Sequence, residues 1–347
     1  MATTTTTARS RLVPSSLLLA ASEAVVSWLC KGGALVDLRP QQEFAMAHLR
    51  GSTSIPFHQL HDRMHELPPR HTELGLVGSR QQVEEATATL KDIGYLINPA
   101  YCLTLPGDDD EEENNDEEEK VERASVTEWI EEGMKTKTLW LPSPLLGDMI
   151  SRVEELLQQK DPAASSSSSS FWRAIDIACG GGRDVVFLAM RGRWKVSGVD
   201  YIQRHLDRLR LFARDHGVED RLETLACQDI EKEGGEGESL LRSWKEQFDL
   251  VNVARYLHRP LMPVLGEMVK ANGVLMYHTF MEGSERWGRP RSKKHLLEEG
   301  ELAAMIRAWN EKEEEVRWEI LLDEVRGISD GRPCSFFVAQ KQKRHRR

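Results

Sequence analysis

The second half of the chain alternates short apolar runs with amphipathic helical runs, and this pattern constrains the fold most. From Phe171 onward, seven segments have the length and apolar content of buried strands: RAIDIA, KVSGVD, LETLAC, FDLVNVA, GVLMYHTF, WEILLDEV and CSFFVAQ. Helical runs such as RDVVFLAMRG and RHLDRLRLFARDHG separate the earlier ones. We therefore predict an α/β fold with a doubly wound, mainly parallel seven-stranded sheet. The last two runs, joined by a loop alone, should form an antiparallel hairpin.

The first hundred residues show the same alternation on a smaller scale. SSLLLAASEAVVSWLC and SRQQVEEATATLKDIGY have helical patterns, and ALVDL between them has the pattern of a buried strand. This order predicts a small α/β domain over residues 15–105, preceded by a disordered leader over residues 1–14. A second domain is expected over residues 123–347, and its first part, residues 126–159, should be mostly helical with interruptions at Pro142 and Pro144.

An acidic block separates the two predicted domains. The stretch DDDEEENNDEEE, from Asp108 to Glu119, carries ten acidic residues, and the net charge of the whole chain is −10. The remainder therefore sums to about zero. So dense a block of like charge repels itself and stays solvated, which predicts a linker over residues 106–122.

Composition excludes several classes of protein. No apolar run reaches the roughly 18–20 residues that span a bilayer, and no basic surface is evident, so neither membrane nor nucleic-acid partners are expected. The cysteines, Cys30, Cys102, Cys179, Cys227 and Cys334, are scattered without CxxC spacing, which predicts neither disulfides nor a metal site. A reducing, cytoplasmic location fits. The Thr/Ser-rich leader and the tail KQKRHRR leave organellar and nuclear locations open.

The stretch AIDIACGGGRDVVFLA places three glycines after the first predicted strand of the second domain. A dinucleotide site requires G-x-G-x-x-G, but here Gly180 and Gly182 are followed by Val185 at the third position. Asp176 would also repel a pyrophosphate. No Gly-Lys-Ser/Thr follows, which excludes a P-loop. A ligand with a positively charged head fits this turn better.

S-adenosylmethionine carries such charge on its ammonium and sulfonium groups. Asp176 would favour that charge, and Gly180 and Gly182 would let the ligand approach closely. Asp200, at the end of the second strand, is predicted to accept hydrogen bonds from both ribose hydroxyls. Asp229, after the third, is predicted to accept one from the adenine amino group. Two alternatives stay open. The chain could be a nicotinamide-dependent oxidoreductase, or the acids at the strand ends could only cap the helices that follow. Cys179 is interpreted as a small filler.

These motifs resemble those of class I S-adenosylmethionine-dependent methyltransferases over the last 175–200 residues. The likeness rests on AIDIACGGGRDVVFLA, WKVSGVD, CQDI, FDLVNVARYLH and NGVLMYHTF. PRSKKHLLEEGEL, from Pro290, resembles an element of the tellurite-resistance-type branch. The chain departs from most of the wider family at Ala178, where a glycine is usual. The resemblance implies a Rossmann-like fold with S-adenosyl-L-methionine as cofactor. It assigns these residues to cofactor binding: Asp176, Ala178, Gly180, Gly182, Asp200, Asp229 and Asn252.

The segment NVARYLHRP ends the fourth predicted strand, which faces the sulfonium in that family. It lacks the Asn/Asp-Pro-Pro-Tyr motif of nucleobase- and amide-directed members, so a small-molecule acceptor is expected. Methyl transfer depends mainly on positioning, and a base is needed only if the acceptor must lose a proton. Tyr256 and His258 are the catalytic candidates, with His278 as another possible base. Arg255 and Arg259 would either draw an anionic acceptor or pair with surface carboxylates.

The stretch ALVDLRPQQEFAMAHLRGSTSIPF is similar to the opening of rhodanese domains, over roughly residues 15–105. The matching residues are Asp37, Arg39, Glu43, His48, Gly51 and Pro56. In the expected active-site loop, GLVGSR, Gly78 and Arg80 fit, but Gly75 stands at the cysteine position. Without the thiol no persulfide forms. This implies a non-catalytic module for anion binding or protein docking. A non-enzymatic scaffold that retains donor binding is a further alternative for the whole chain.

Overall fold

The computed structural model describes residues 23–70, 72–105, 128–134, 136–160, 171–328 and 330–343. The predicted leader and acidic linker lie outside these residues, as do positions 344–347 of the basic tail, whereas its first three residues, 341–343, are described. The chain divides into two compact units, Met1–Trp140 and Leu141–Arg347. No helix among the described residues is long and apolar enough to cross a bilayer.

The first unit contains a parallel sheet flanked by short helices. Its elements are α1 (Glu23–Cys30), β1 (Ala34–Asp37), α2 (Gln41–Met46), β2 (His48–Leu49), β3 (Ser52–Ser54), β4 (Glu73–Ser79), α3 (Arg80–Asp92), β5 (Leu96–Ile97), β6 (Leu103–Leu105) and β7 (Ile130–Glu131). Strands pair in the order β3-β1-β4-β5, and β6 also pairs with β4. All four pairings are parallel, which confirms a small α/β unit.

The segment expected to be the active-site loop of this unit is regular structure instead. Gly75 lies within β4, paired with Leu35 of β1. A Cβ at Gly75 would stand 2.3 Å from the carbonyl oxygen of Tyr101, so the close approach of the backbone requires glycine. Helix α3 begins directly at Arg80, where Ser79 and Gln82 form a capping box. The prediction of a loop over GLVGSR is therefore wrong.

Residues 128–134 and 136–143 are not helical, contrary to the sequence prediction. Strand β7 pairs antiparallel with β2, and the Thr53 hydroxyl donates to the carbonyl of Lys137. Gly133 has φ 97, which ends any helix here. These contacts join the segment to the first unit. The division between the units falls after Trp140, later than the predicted boundary at residue 123.

The second unit contains the predicted seven-stranded sheet. Its elements are α4 (Pro144–Lys160), β8 (Trp172–Ile177), α5 (Arg183–Met190), β9 (Trp194–Asp200), α6 (Gln203–Asp215), β10 (Leu222–Cys227), α7 (Glu236–Ser243), β11 (Phe248–Ala254), α8 (Met262–Met268), β12 (Val269–His278), α9 (Glu301–Lys312), β13 (Val316–Gly327) and β14 (Pro333–Lys343). The strand order is β10-β9-β8-β11-β12-β14-β13. The first five strands are parallel, and β13 and β14 form the predicted antiparallel hairpin.

Helices cover both faces of this sheet. Residues of α4, α5 and α6 pack on one face, against side chains such as Ala174 of β8. Residues of α7, α8 and α9 pack on the other, against neighbours such as Ile175. The chain leaves β8 toward β9 and β10, then returns to β11 on the opposite side of β8. This change of direction opens a crevice at the carboxyl ends of β8 and β11, where ligands bind in doubly wound folds.

Candidate functional site

The turn from β8 to α5 bends sharply through three left-handed residues. Ala178, Gly180 and Gly182 have φ 55, 54 and 83. A Cβ at Gly182 would stand 2.3 Å from Cγ of Leu209, so both conformation and space demand glycine there. Ala178 holds the same conformation with a side chain, which is a strained arrangement. The turn therefore brings bare backbone to the sheet edge, with no room for a side chain at Gly182.

Three amide groups of this turn donate to acceptors within the protein. The N–H of Cys179 donates to the carbonyl of Val199 at 3.0 Å, and that of Gly182 donates to the carbonyl of Cys179 at 3.0 Å. Gly180 N donates to Oδ2 of Asp200 at 2.9 Å. A phosphate cradle needs such donors to point at the ligand. Three donors of this turn are occupied, which argues against a pyrophosphate here.

Two buried carboxylates share one amide beneath the turn. Nδ2 of Asn252 donates to Oδ1 of Asp176 at 2.8 Å and to Oδ2 of Asp184 at 3.0 Å. The backbone N–H of Ser143 donates to Oδ1 of Asp184 at 2.7 Å. Burial and the neighbouring charge of Asp184 raise the pKa of Asp176 well above its ordinary value. The cluster therefore places two buried carboxyl groups beneath the glycine turn, behind the side chains that line the cavity.

Asp184 was not predicted as a site residue. It lies in the first turn of α5, where a carboxylate is typical of helix starts and draws no attention. The contact with Asn252 bridges 68 positions of the chain, so only the strand order brings them together. The sequence signal was the acid directly after the glycines, in GGGRD.

Three contacts within the protein hold the carboxylate of Asp200. Its Oδ2 accepts from Gly180, and its Oδ1 accepts from Ile202 N at 2.9 Å and lies 3.1 Å from Nδ1 of His205. The residue is 6% exposed. A carboxylate has about four acceptor positions, so about one is left for a ligand. Asp200 is thus part of the framework of the turn and also lines the cavity, and its hydrogen bonds to a ribose stay a prediction.

A cavity of about 580 Å³ opens at this edge of the sheet. Its lining residues are Ala178, Asp200, Tyr201, Asp229, Ile230, Glu231, Lys232, Arg255, Tyr256, Leu257, Phe280, Pro290 and His295. Five predicted site residues line it: Ala178, Asp200, Asp229, Arg255 and Tyr256. The predicted residues outside this lining are Asp176, Gly180, Gly182, Asn252 and His258, whose contact with a ligand stays a prediction.

The other eight lining residues were not predicted as site residues, and two of them, Tyr201 and Ile230, each follow a strand-end acid. Tyr201, directly after Asp200, is 71% exposed, although aromatic rings are usually buried. Ile230 follows Asp229 in the same way. The available signal was a large apolar or aromatic residue directly after each strand-end acid. Side chains of this kind provide flat or apolar surface for a ring such as adenine.

The candidate catalytic residues lie at the carboxyl ends of β11 and β12. Burial and the charge of Glu231 raise the pKa of Tyr256 far above its ordinary value, so its hydroxyl stays protonated at neutral pH. Nδ1 of His258 lies 3.8 Å from a carboxylate oxygen of Glu231. His278 is buried, with Nδ1 2.8 Å from the carbonyl of Ser335, and burial lowers its pKa.

The two arginines of this segment have different environments. Arg259 donates to both carboxylate oxygens of Glu301, at 2.6 and 2.8 Å. Arg255 lines the cavity. The structure therefore selects carboxylate pairing for Arg259 and leaves Arg255 facing the crevice.

Comparisons with known proteins show distant likeness only. No family model matches the chain. An uncharacterized protein of Schizosaccharomyces pombe, UNK4.09, is 26% identical over 348 residues, covering 88% of this chain and 93% of that protein.

The chain is also similar to solved structures with TM-scores below 0.5. A SAM-dependent methyltransferase from Aquifex aeolicus is 13% identical, with TM-score 0.36, and the match covers 55% of this chain and 97% of that one. A methyltransferase from Geobacter sulfurreducens in complex with S-adenosyl-L-homocysteine is 16% identical, with TM-score 0.33, covering 50% and 66%. The [4+2]-cyclase SpnF is 14% identical, with TM-score 0.37, covering 56% and 82%. At such scores the geometry of the site carries the functional interpretation.

Proposed function

We propose that the second unit binds S-adenosyl-L-methionine and transfers its methyl group to a small-molecule acceptor. One observation carries this proposal. Asp200 and Asp229 line the crevice at the switch point, and three amide donors of the glycine turn that borders it are occupied within the protein. Such a site favours a ligand with positive charge and an adenosine-like body, and disfavours one with a pyrophosphate.

The two buried carboxyl groups support a cationic donor because none of their hydrogen-bond partners is a cation, a cost that is reflected in the raised pKa of Asp176. Asp176 and Asp184 are bound by Asn252 and a backbone amide, which are neutral donors. Carboxylates buried without a cation are costly, so a positive ligand placed nearby is attracted. We therefore expect donor binding to lower the pKa of Asp176 back toward its ordinary value.

The adenosine part of the donor fits the other end of the cavity. Asp229 lines the wall there, and its Oδ1 accepts from the backbone N–H of Glu231 at 3.0 Å, which leaves further acceptor positions. Tyr201 and Ile230 offer an aromatic and an apolar surface beside it. We propose that these three residues hold the adenine ring and that Asp200 contributes one hydrogen bond to the ribose.

The proposed transfer depends on position more than on proton movement. An activated methyl group is displaced in line by the acceptor atom, and holding both in contact away from water supplies much of the rate. Tyr256, protonated at neutral pH, would donate a hydrogen bond to the acceptor. His258 beside Glu231 would take a proton if the acceptor must lose one. The assignment to the tellurite-resistance-type branch is part of this proposal.

For the first unit, a rhodanese-like, non-catalytic role remains our proposal. Asp37 and Arg39 form a buried ion pair at 2.6 Å, and His48 stacks on Phe44 at 3.8 Å between ring centroids. These residues therefore hold the unit together internally. Docking of a protein partner on this unit and a cytoplasmic location are predictions that wait for direct measurement.

Isothermal titration of the full chain tests the donor. We expect saturable binding of S-adenosylhomocysteine and S-adenosylmethionine and none of reduced nicotinamide cofactor. Asp229→Ala should weaken donor binding by about tenfold, which corresponds to about 1.4 kcal/mol. Glu233→Ala, an exposed acid in the same loop, is the matched control and should bind like the wild type. Tight binding of the nicotinamide cofactor, or none of either donor compound to folded protein, would overturn the proposal.

A further inference from the structure

We infer that the methyl acceptor is a small organic anion whose carboxylate or phosphate group is bound by Arg255. This inference rests on the proposed function and adds the class of its substrate. It follows from an unpaired arginine in the cavity, from the positive charges around it and from the basic approach to the same cavity.

Arg255 stands at the end of β11 in a conformation that few non-glycine residues adopt. Its φ is 58, and its backbone N–H donates to the carbonyl of His278 at 2.6 Å. A left-handed residue of this kind costs about 1–3 kcal/mol and persists where the surroundings require it. Here the bend turns the Arg255 side chain into the cavity wall.

The guanidinium of Arg255 has no hydrogen bond or ion pair with any described residue. Arg259, four positions later, makes the bidentate pair with Glu301 that such a side chain normally finds. An arginine has five donors and cannot lose its charge in a protein, so an unpaired one in a cavity is a ready anion site.

The charges nearest to Arg255 increase its need for an anion. Arg255 is exposed by its surface area, and partial desolvation of its guanidinium at the cavity wall, together with the positive charges of Arg183 and Arg332, lowers its pKa. The two carboxylates that act on it are already engaged. Asp184 is bound by Asn252, and Asp330 forms an ion pair with Arg332 at 2.6 Å. A bound anion would therefore relieve the mutual repulsion of the arginines.

The approach to Arg255 is also basic. An adjoining cavity of about 630 Å³ is lined by Arg289, Pro290, Arg291, Ser292 and His295, and it shares Pro290 and His295 with the first. Arg332 joins the two regions, because it donates to the carbonyl of Arg289 at 2.7 Å and lies over the ring of Phe280. A cleft with one sign of charge attracts ligands of the opposite sign.

The crevice is thus divided by charge. Its acidic half lies at the ends of β8, β9 and β10, where Asp200 and Asp229 line the wall. Its basic part is formed by Arg255 at the end of β11 and by the 289–295 segment, although the acid Glu231 also lines the cavity, with a carboxylate oxygen 3.8 Å from Nδ1 of His258. A cationic donor in the first half and an anionic acceptor in the second are each held where the field favours them, with their reacting atoms facing each other. A guanidinium binds carboxylate and phosphate equally well, in a bidentate manner.

The test uses inorganic phosphate and succinate as probes on the full chain, with and without saturating S-adenosylhomocysteine, at constant ionic strength set by chloride. Binding is measured by titration calorimetry and by the rise in melting temperature. We expect both probes to bind the complex. Arg255→Met should weaken them at least tenfold while S-adenosylhomocysteine affinity changes less than threefold. Arg255→Lys, which keeps the charge but loses the fork, should be intermediate.

Arg152→Met is the control for loss of one positive charge, since Arg152 is an exposed residue of α4 outside the cavity lining. It should bind the probes like the wild type. Absence of probe binding, or probe binding that survives in Arg255→Met, would overturn the inference. So would a tenfold loss of S-adenosylhomocysteine affinity with unchanged probe binding, which would assign Arg255 to the donor's own carboxylate. Failure of S-adenosylhomocysteine to bind the wild type would count against the proposed function instead.

Discussion

Replacement of Asn252 by alanine is expected to destabilise the second unit by about 2–4 kcal/mol. The residue is 1% exposed, and its amide donates to Asp176 at 2.8 Å and to Asp184 at 3.0 Å. Hydrogen bonds to charged groups contribute about 1.5–3 kcal/mol each, so losing two costs up to about 3–6 kcal/mol. A water molecule in the vacated space would restore part of this.

Thermal unfolding of the full chain by calorimetry measures this effect. For a unit of this size about 1 kcal/mol shifts the melting temperature by roughly 2–4 °C, so a decrease of roughly 5–15 °C is expected. Gln203→Ala is the control. Its amide donates to Asp207 at 2.8 Å on the exposed surface of α6, a contact that stabilises by only about 0.2–0.5 kcal/mol. Equal melting temperatures for Asn252→Ala and the wild type would refute the stabilising role of the shared amide.

The pH dependence of Asn252→Asp gives an independent check. In the wild type, burial already raises the pKa of Asp176. A third carboxylate in this buried cluster should raise that pKa further, because like charges disfavour the ionised form. An acid whose pKa is raised by folding contributes stability that is complete below its unfolded value of about 3.9 and is lost as the pH rises through its folded pKa. The deficit of this variant should therefore shrink as the pH falls from about 7.5 to about 5. A deficit that does not change with pH would contradict this account.

Three further outcomes follow from the turn. Asp200→Asn should lower both melting temperature and donor affinity, by about 1–3 kcal/mol in stability, because its oxygens anchor the N–H of Gly180; lost affinity with unchanged melting would restore a role in ligand binding alone. Gly182→Ala should be more destabilising in thermal melts than Gly180→Ala, since both residues are left-handed but only the former has a leucine carbon at 2.3 Å from the new Cβ; equal losses would show that conformation alone matters. In native-state alkylation followed by mass spectrometry, the exposed Cys30 should react and Cys179 should not, because burial and nearby carboxylates raise the pKa of the Cys179 thiol; comparable rates would refute its interpretation as an inert filler.

The sequence alone determined the strands of the second unit and predicted that its ligand site lies at the carboxyl ends of those strands. Seven apolar runs predicted seven strands, and the short link between the last two predicted their antiparallel pairing, which the structure confirms. Strand-end acids such as Asp200 and Asp229 could be placed at the crevice for the same reason. These features depend on local spacing, since a strand is marked within a few residues by alternating apolar and polar side chains or by a continuous apolar run. In the first unit the same patterns predicted the small α/β sheet.

The tertiary structure decided which of these side chains face a ligand and which hold each other. The contact of Asn252 with Asp176 spans 76 positions of the chain and exists because β8 and β11 are neighbours in the sheet. The different environments of Arg255 and Arg259 depend on where β12 and α9 pack, and the non-helical path of residues 128–134 depends on pairing with β2. Local composition carries no information about such partners, because hydrogen bonds and ion pairs form between groups that folding brings together from distant parts of the chain.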